Sequence, residues 1–200
     1  MKSELRIRIG VIGVGHLGDF HLKQLKTISN ILISGIYDND INRAEEISKK
    51  YNVQNHITIK SLLANSDAIS IVTPTSTHFS IAINALKQGC HVFIEKPITD
   101  NIHDANTLIK KAKELNKIIQ VGHIERFNPA FNYIKNLNLK PQFIESHRLA
   151  QFNSRGNDVP VLLDLMIHDL DLILSLVKSN IKSIRANGIK IVSSTIDMAN

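Results

Sequence analysis

Asp164, His168, Asp171 and Ser175 recur at i, i+4, i+7 and i+11 within VLLDLMIHDLDLILSLV, residues 161–177. On a 3.6-residue helix that spacing is one stripe. A carboxylate one turn before an imidazole can hold the ring and stabilise its protonated form. The imidazole, with an ordinary pKa near ~6.5, can take a hydroxyl proton near neutral pH. The stripe can equally be the wet side of an amphipathic helix. Against that plainer alternative, Gly156 to Val177 contains no Lys, Arg or Glu, the long residues that solvated helix faces normally use.

A second constellation lies at the other end of the chain. GVGHLG places Gly13, Gly15 and Gly18 in a G-x-G-x-x-G turn, with His16 and Leu17 between the last two glycines. The first glycine permits the tight turn, the second lets backbone approach a diphosphate, and the third packs helix on strand. A helix N-terminus then offers free N–H groups to the negative charge. Asp38 follows 20 residues after Gly18, at the end of the next apolar run, where a carboxylate accepts hydrogen bonds from a ribose hydroxyl. It also repels a 2′-phosphate, and no arginine follows before Arg43, so the pattern favours NAD over NADP.

Two further stretches fall where strands should open onto the same cleft. In VTPTSTHF, residues 72–79, Pro74 stops a strand, and Thr73, Thr75 and His78 can line the ribose–nicotinamide region; a surface position for His78 is the alternative. In EKP, residues 95–97, Glu95 and Lys96 stand at a strand mouth. The Lys96 amine can stabilise an alkoxide forming on a bound hydroxyl, or be a surface lysine before a loop. Pro97 fixes the turn, with a cis peptide as one way to do so.

Elements that position these residues can be read from periodicity. Strands are expected over 6–12, 31–38, 67–74, 90–97 and 117–123, with helices over 16–28, 41–52, 77–89 and 101–116. The strands are Ile- and Val-rich runs, as burial on both faces requires. Alternation with helices predicts an α/β, doubly wound parallel sheet of Rossmann type over residues 1–123. From residue 124 to 200 the rhythm changes to the start of an α+β, mostly antiparallel sheet domain. There a helix is expected at 125–137, strands at 141–152 and 181–192, a polar loop at 153–160, and the helix of the opening stripe. Two strands are too few for a stable sheet face, so this domain reads as cut short.

Composition narrows the classes. The chain is 43% hydrophobic and 21% charged, an ordinary globular balance. It lacks an apolar run long enough to span a bilayer and a signal-peptide pattern at its start. The net charge of +6 comes with 17 Lys against 7 Arg, scattered without a basic stripe, so nucleic acid is not an expected partner. A single cysteine, Cys90, excludes an internal disulfide framework and suits a reducing cytoplasm. Cys90 itself reads as a small buried residue. His16, His21, His56, His91, His103 and His147 show no metal-ligand spacing, and no metal is expected.

GVGHLG, Asp38, EKP and the Asp164-x-x-x-His168 pair, in that order over essentially all 200 residues, resemble the glucose-fructose oxidoreductase / inositol dehydrogenase / MocA family. The resemblance implies an NAD-dependent dehydrogenase acting on CH–OH groups. Its second domain shapes the substrate site and carries a homo-oligomer interface. Carried over by motif, the catalytic constellation is Lys96, Asp164 and His168, and the stripe faces the nicotinamide rather than bulk water. VGHIERFNPAF, residues 121–131, together with residues 147–172, resembles the branch acting on nucleotide sugars, with a UDP-N-acetylhexosamine as the substrate implied. In that reading Glu125, Arg126, Asn128 and Arg155 contact sugar or diphosphate alongside Lys96 and His168, with His123 and Arg148 as weaker candidates. Two other readings stand beside it: a dinucleotide-binding sensor or scaffold without catalysis, and an inactive remnant. A chain that ended at Asn200 is expected to bind NAD yet oligomerise poorly and turn over slowly.

Overall fold

The computed structural model describes residues 6–137, 139–151 and 159–200. The chain forms two compact units, divided between Gly122 and His123.

In the first unit, five strands form one parallel sheet in the order β2-β1-β3-β4-β5. They are β1 (Ile7–Ile12), β2 (Ile31–Tyr37), β3 (Ala68–Ile71), β4 (His91–Ile94) and β5 (Ile119–Val121). The helices are α1 (His16–Leu25), α2 (Ile41–Tyr51), α3 (Ile59–Ala64), α4 (Thr75–Lys87) and α5 (Ile102–Glu114). The strands are short apolar runs because both faces are covered. Ile12, Ile69, Ile71, Val92 and Ile94 pack with Leu62, Ala82, Leu86 and Leu108 on one side, and Val11 and Ile36 pack with Leu22 and Ile47 on the other. Each large aliphatic side chain buried this way contributes about 1.5–3 kcal/mol. Helix starts follow local chemistry: Asp40 and Asn101 accept from the Arg43 and Asp104 N–H groups, capping α2 and α5.

Strand order reverses direction beside β1, between β1 and β3, and in open α/β sheets that switch point is where a ligand cleft opens. β3 and β4 end at Ile71 and Ile94, before Pro74 and Pro97. The expected strands 67–74 and 90–97 therefore lose their last residues to the turns that line the cleft. α3 was not expected from periodicity. It is only six residues long, and Thr58 starts it by accepting from the Ser61 N–H.

The second unit departs further from expectation. The single helix expected at 125–137 is a 3₁₀ turn (Ile124–Phe127) followed by α6 (Pro129–Asn136). Pro129 disfavours helical backbone at Asn128, whose side chain caps α6 by accepting from the Ala130 N–H at 3.0 Å. Residues 141–151 form no strand, because alternation gives one only when a neighbour supplies the ladder, and among the described residues none pairs with them. Of the strand expected at 181–192, only Gly188–Ile189 (β6) pairs, antiparallel to Met198–Ala199 (β7). The helix at 161–177 opens as a π-helix (Leu162–Met166) before continuing as α7 (Ile167–Leu176), so its polar stripe does not run in uniform α register. Among the described residues of this unit Phe131 is the one buried hydrophobic side chain.

Candidate functional site

The three glycines of the turn have three separate steric reasons. Gly13 has φ +86°, and a Cβ there would lie 2.6 Å from the Val72 carbonyl oxygen. At Gly18 a Cβ would lie 2.0 Å from the Gly13 oxygen, so only glycine lets α1 seat against the turn. Gly15 is the opposite case, with nothing within 4 Å of the Cβ position. Its absent side chain therefore serves something outside the fold. Gly15 is also the N-cap of α1 and makes no side-chain cap hydrogen bond, which leaves the first-turn N–H groups for an anion. Gly15, His16 and Leu17 are exposed at this helix start, and the His16 ring packs edge-on against Phe20 at 5.0 Å.

Asp38, at the end of β2, is aimed by two backbone donors. Val14 N–H donates to Oδ2 at 2.7 Å and Asp40 N–H to Oδ1 at 2.9 Å. The carboxylate is thereby fixed beside the glycine turn with lone pairs to spare for hydroxyls. Arg43 does not reach toward it as a phosphate partner would. Its Nε donates to the Val14 oxygen at 2.9 Å and its Nη1 pairs with Glu46 at 2.7 Å. A cleft of about 410 Å³ runs along these residues, lined by Gly13, Gly15, Asp38, Thr73 and Pro74, with Ile59 and Ile81 also in its wall. The open space over Gly15, the uncapped helix start and the oriented carboxylate fit a dinucleotide.

Of the remaining residues expected to hold the cofactor, Thr73 and Pro74 do line the cleft. His78 does not offer its ring to it. The side chain is 1% exposed, with Nδ1 2.9 Å from the Pro97 oxygen and Nε2 2.9 Å from the Thr73 oxygen. The expectation that His78 lines the ribose–nicotinamide region is thus corrected: it stands behind the wall. Glu95 is likewise turned inward. Its Oε1 lies 2.9 Å from His21 Nε2, its Oε2 accepts from the Lys96 N–H at 3.2 Å, and the carboxylate packs against Gly122. Burial pushes this carboxyl up, but the His21 hydrogen bond and charge, with the Lys96 N–H and charge, outweigh it and hold Glu95 below the ordinary range. The Lys96–Pro97 peptide is cis.

His21, one of the histidines expected to be structural or on the surface, is structural and partly buried. Its other nitrogen is 2.9 Å from Ser70 Oγ, and its ring meets Phe93 edge-on at 5.5 Å. His21 lies three residues after Gly18, on the same sheet-facing side of α1. Cys90 is buried, and burial pushes its thiol up, which suits a packing role.

In the second unit, helix α7 does not turn its acids to solvent, as the plainer alternative for the stripe would have it. Its exposed positions are Leu170 and Leu174, at 43% and 54%. The acids are the sheltered side, with Asp169 and Asp171 side chains 18% and 10% exposed. Arg126 grips Asp171 through two bonds of 2.6 and 2.5 Å, and Arg148 grips Asp169 at 2.7 and 3.2 Å. Burial raises Asp171, but Arg126 and the charges of His123 and His168 hold it below the ordinary range, and Arg148 does the same for Asp169. Arg126, expected to contact sugar or diphosphate, and Arg148, a weaker candidate, are thus each paired with a carboxylate within the unit. Glu125 faces Arg148 at 3.7 Å, and Asn128 is the α6 cap and donates to Glu125 at 3.1 Å. Ser175 bonds back to the Leu172 oxygen at 2.7 Å. Arg155 lies outside the described residues. Asp164 sits in the π-helical opening and His168 in the first turn of α7.

Residues 7–123 match the oxidoreductase family with an NAD-binding Rossmann fold, Gfo/Idh/MocA. The chain belongs to that family. NAD is accordingly the cofactor of this family, and the placement of Asp38 and Arg43 is compatible with it. Among relatives of this Gfo/Idh/MocA chain, a UDP-N-acetylglucosamine 3-dehydrogenase of Acidithiobacillus ferrooxidans is 42% identical over 196 residues, 98% of this chain and 62% of that protein. A solved structure of the same enzyme superposes with a TM-score of 0.91, covering 97% of this chain and 64% of the other. A myo-inositol 2-dehydrogenase of Thermotoga maritima is 29% identical over 208 residues, 96% of this chain and 61% of that protein. The chain thus spans a little under two thirds of the length of these relatives. Among the described residues no helix is long and apolar enough to cross a membrane.

Proposed function

We propose that this chain carries the cofactor half and the catalytic helix of an NAD-dependent dehydrogenase that oxidises a secondary hydroxyl of a sugar, with a UDP-N-acetylhexosamine as the substrate. The observation that carries the reading is the 42% identity, over 98% of the chain, to a UDP-N-acetylglucosamine 3-dehydrogenase. The glycine turn, Asp38 and the Thr73–Pro74 wall hold NAD, which when bound supplies the acceptor for the hydride leaving the hydroxyl-bearing carbon. The proton of the same hydroxyl goes to the His168 imidazole, and the carbon is left as a ketone. Asp164 orients the ring and stabilises its protonated form. The Lys96 amine stabilises charge developing on the substrate oxygen; its role as the proton acceptor instead is the variant of this scheme.

The leucine-out, acid-in arrangement of α7 supports a sheltered rather than a solvated His168. Because Arg126 and Arg148 are already paired, they are assigned to bracing that helix, and the diphosphate contact falls to other residues. The lone buried Cys90 supports a reducing, cytoplasmic setting, and the apolar surface of the second unit supports a homo-oligomer.

The test is NADH formation, followed by absorbance, with purified protein, NAD and a panel of sugars and UDP-N-acetylhexosamines. Turnover with a UDP-sugar that drops at least about 100-fold in His168→Asn is expected from losing a general base. NAD binding without NADH formation from any sugar would instead favour a sensor.

A further inference from the structure

Helix α1, strands β3 and β4 and the end of β5 converge around the Glu95 carboxylate. Its Oε1 lies 2.9 Å from His21 Nε2 on α1, and its Oε2 accepts from the Lys96 N–H at 3.2 Å. A carboxylate only accepts, so Nε2 donates to it. The Ser70 hydroxyl on β3, 2.9 Å from Nδ1, can donate or accept and so completes the set. Phe93 of β4 steadies the ring edge-on. Just past β5, Gly122 makes the room: a Cβ there would lie 2.9 Å from Oε1 and 3.0 Å from Oε2. The His21 and Glu95 side chains are 20% and 14% exposed, which shelters their hydrogen bond from competing water.

This arrangement matters because of where the sheet ladder stops. The Glu95 N–H still donates to the Ile71 oxygen at 3.0 Å, and the Gly122 N–H to the Ile94 oxygen at 2.8 Å. The next N–H along the chain, that of Lys96, donates to the Glu95 carboxylate instead. A side chain thus takes over from the ladder at the backbone from which the Lys96 amine departs. His21 aims that side chain from α1, the helix whose uncapped N-terminus opens at Gly15 onto the dinucleotide cleft.

We propose that His21, Glu95 and Gly122 form a brace that ties the Lys96 turn to the cofactor helix α1, and so sets the amine relative to bound NAD. His21 and Glu95 are positioning residues, acting through the Lys96 backbone. The consequence for turnover rests on the dehydrogenase reading of Lys96, but the brace itself does not.

Gly122→Ala disturbs the brace with the least collateral change, because the atoms a new methyl group would meet are the far end of the Glu95 side chain, which can swing away. His21→Phe removes the donor but keeps a ring against Phe93, and His21→Gln restores an N–H toward Oε1. Amide hydrogen exchange, followed residue by residue in ¹H–¹⁵N spectra, reads the Lys96 N–H directly. Its rate relative to the Glu95 N–H should rise at least about tenfold in Gly122→Ala and His21→Phe, the loss of one hydrogen bond to a charged group. In His21→Gln it should return most of the way to wild type. In NADH formation with the UDP-sugar, kcat should fall at least about tenfold in the same two variants, with KM for NAD within about threefold, and recover in His21→Gln. Unchanged Lys96 exchange in folded Gly122→Ala overturns the brace. Faster exchange with wild-type kcat overturns its part in turnover. If wild type makes no NADH from any sugar, the dehydrogenase reading fails and amide exchange alone decides the brace; if His21→Phe does not fold, Gly122→Ala decides it.

Discussion

Replacing Gly15 by alanine should separate binding from folding, because the three glycines of one turn are constrained by different things. A Cβ at Gly15 meets nothing within 4 Å, whereas one at Gly18 would stand 2.0 Å from the Gly13 oxygen. Gly15 has φ −62° and ψ −154°, extended backbone that alanine adopts. Two small effects oppose each other in Gly15→Ala: alanine is a poorer N-cap, but it lowers the entropy of the unfolded chain. The net change in stability should stay within about 1 kcal/mol, a shift of about 2–4 °C in Tm for a chain of this size. The methyl group nevertheless occupies the approach that a diphosphate needs. Losing one charge-assisted hydrogen bond, about 1.5–3 kcal/mol, weakens NAD roughly 10- to 150-fold. Calorimetric titration with NAD, beside a thermal melt of the same samples, reads both quantities. Gly18→Ala should fail in the melt itself. Wild-type NAD affinity in Gly15→Ala, or a collapse of its Tm to that of Gly18→Ala, would refute the reasoning.

Further outcomes follow from other parts of the structure. Glu95 titrates below its ordinary range when folded, so its stabilisation is complete above the unfolded carboxyl pKa and disappears as pH falls through the folded one. Urea melts of wild type and Glu95→Gln should therefore differ most near neutral pH and converge in acid; a constant gap would remove His21 as the cause. Arg126→Ala leaves Asp171, whose side chain is 10% exposed, without its guanidinium. The cost should be about 1–2 kcal/mol, discounted because Arg126 is half exposed, with NAD affinity unchanged; an unaltered urea midpoint would show that the pair braces nothing. Phe143 and Leu149 are 81% and 89% exposed. The chain should bind a hydrophobic dye and self-associate in light scattering, and Phe143→Glu with Leu149→Lys should reduce both; a monodisperse, dye-negative wild type would contradict this.

What could be read from the sequence, and what could not, divides by the range of the interactions. The glycine turn was legible because each glycine answers to a local steric demand, and Asp38 because its distance from the turn is set by one helix and one strand. The parallel sheet was legible because burial on both faces forces near-continuous apolar runs. His21 and Glu95 are 74 residues apart, and Arg126 and Asp171 are 45 apart. No periodicity encodes such pairs, so from sequence Arg126 reads as a substrate contact and the partner of His21 stays hidden. The position of His78 is not legible, since its burial depends on where two distant turns end. The strand expected at 141–152 shows the converse: alternation is a local property, but a ladder needs a neighbour.

The most direct test of the central claim is isotopic. Protein incubated with NAD and UDP-N-acetylglucosamine deuterated at its hydroxyl-bearing sugar carbons should yield NADH carrying deuterium, with a ketone left at one of those carbons. NADH without deuterium, or bound NAD that no sugar reduces, would contradict the account.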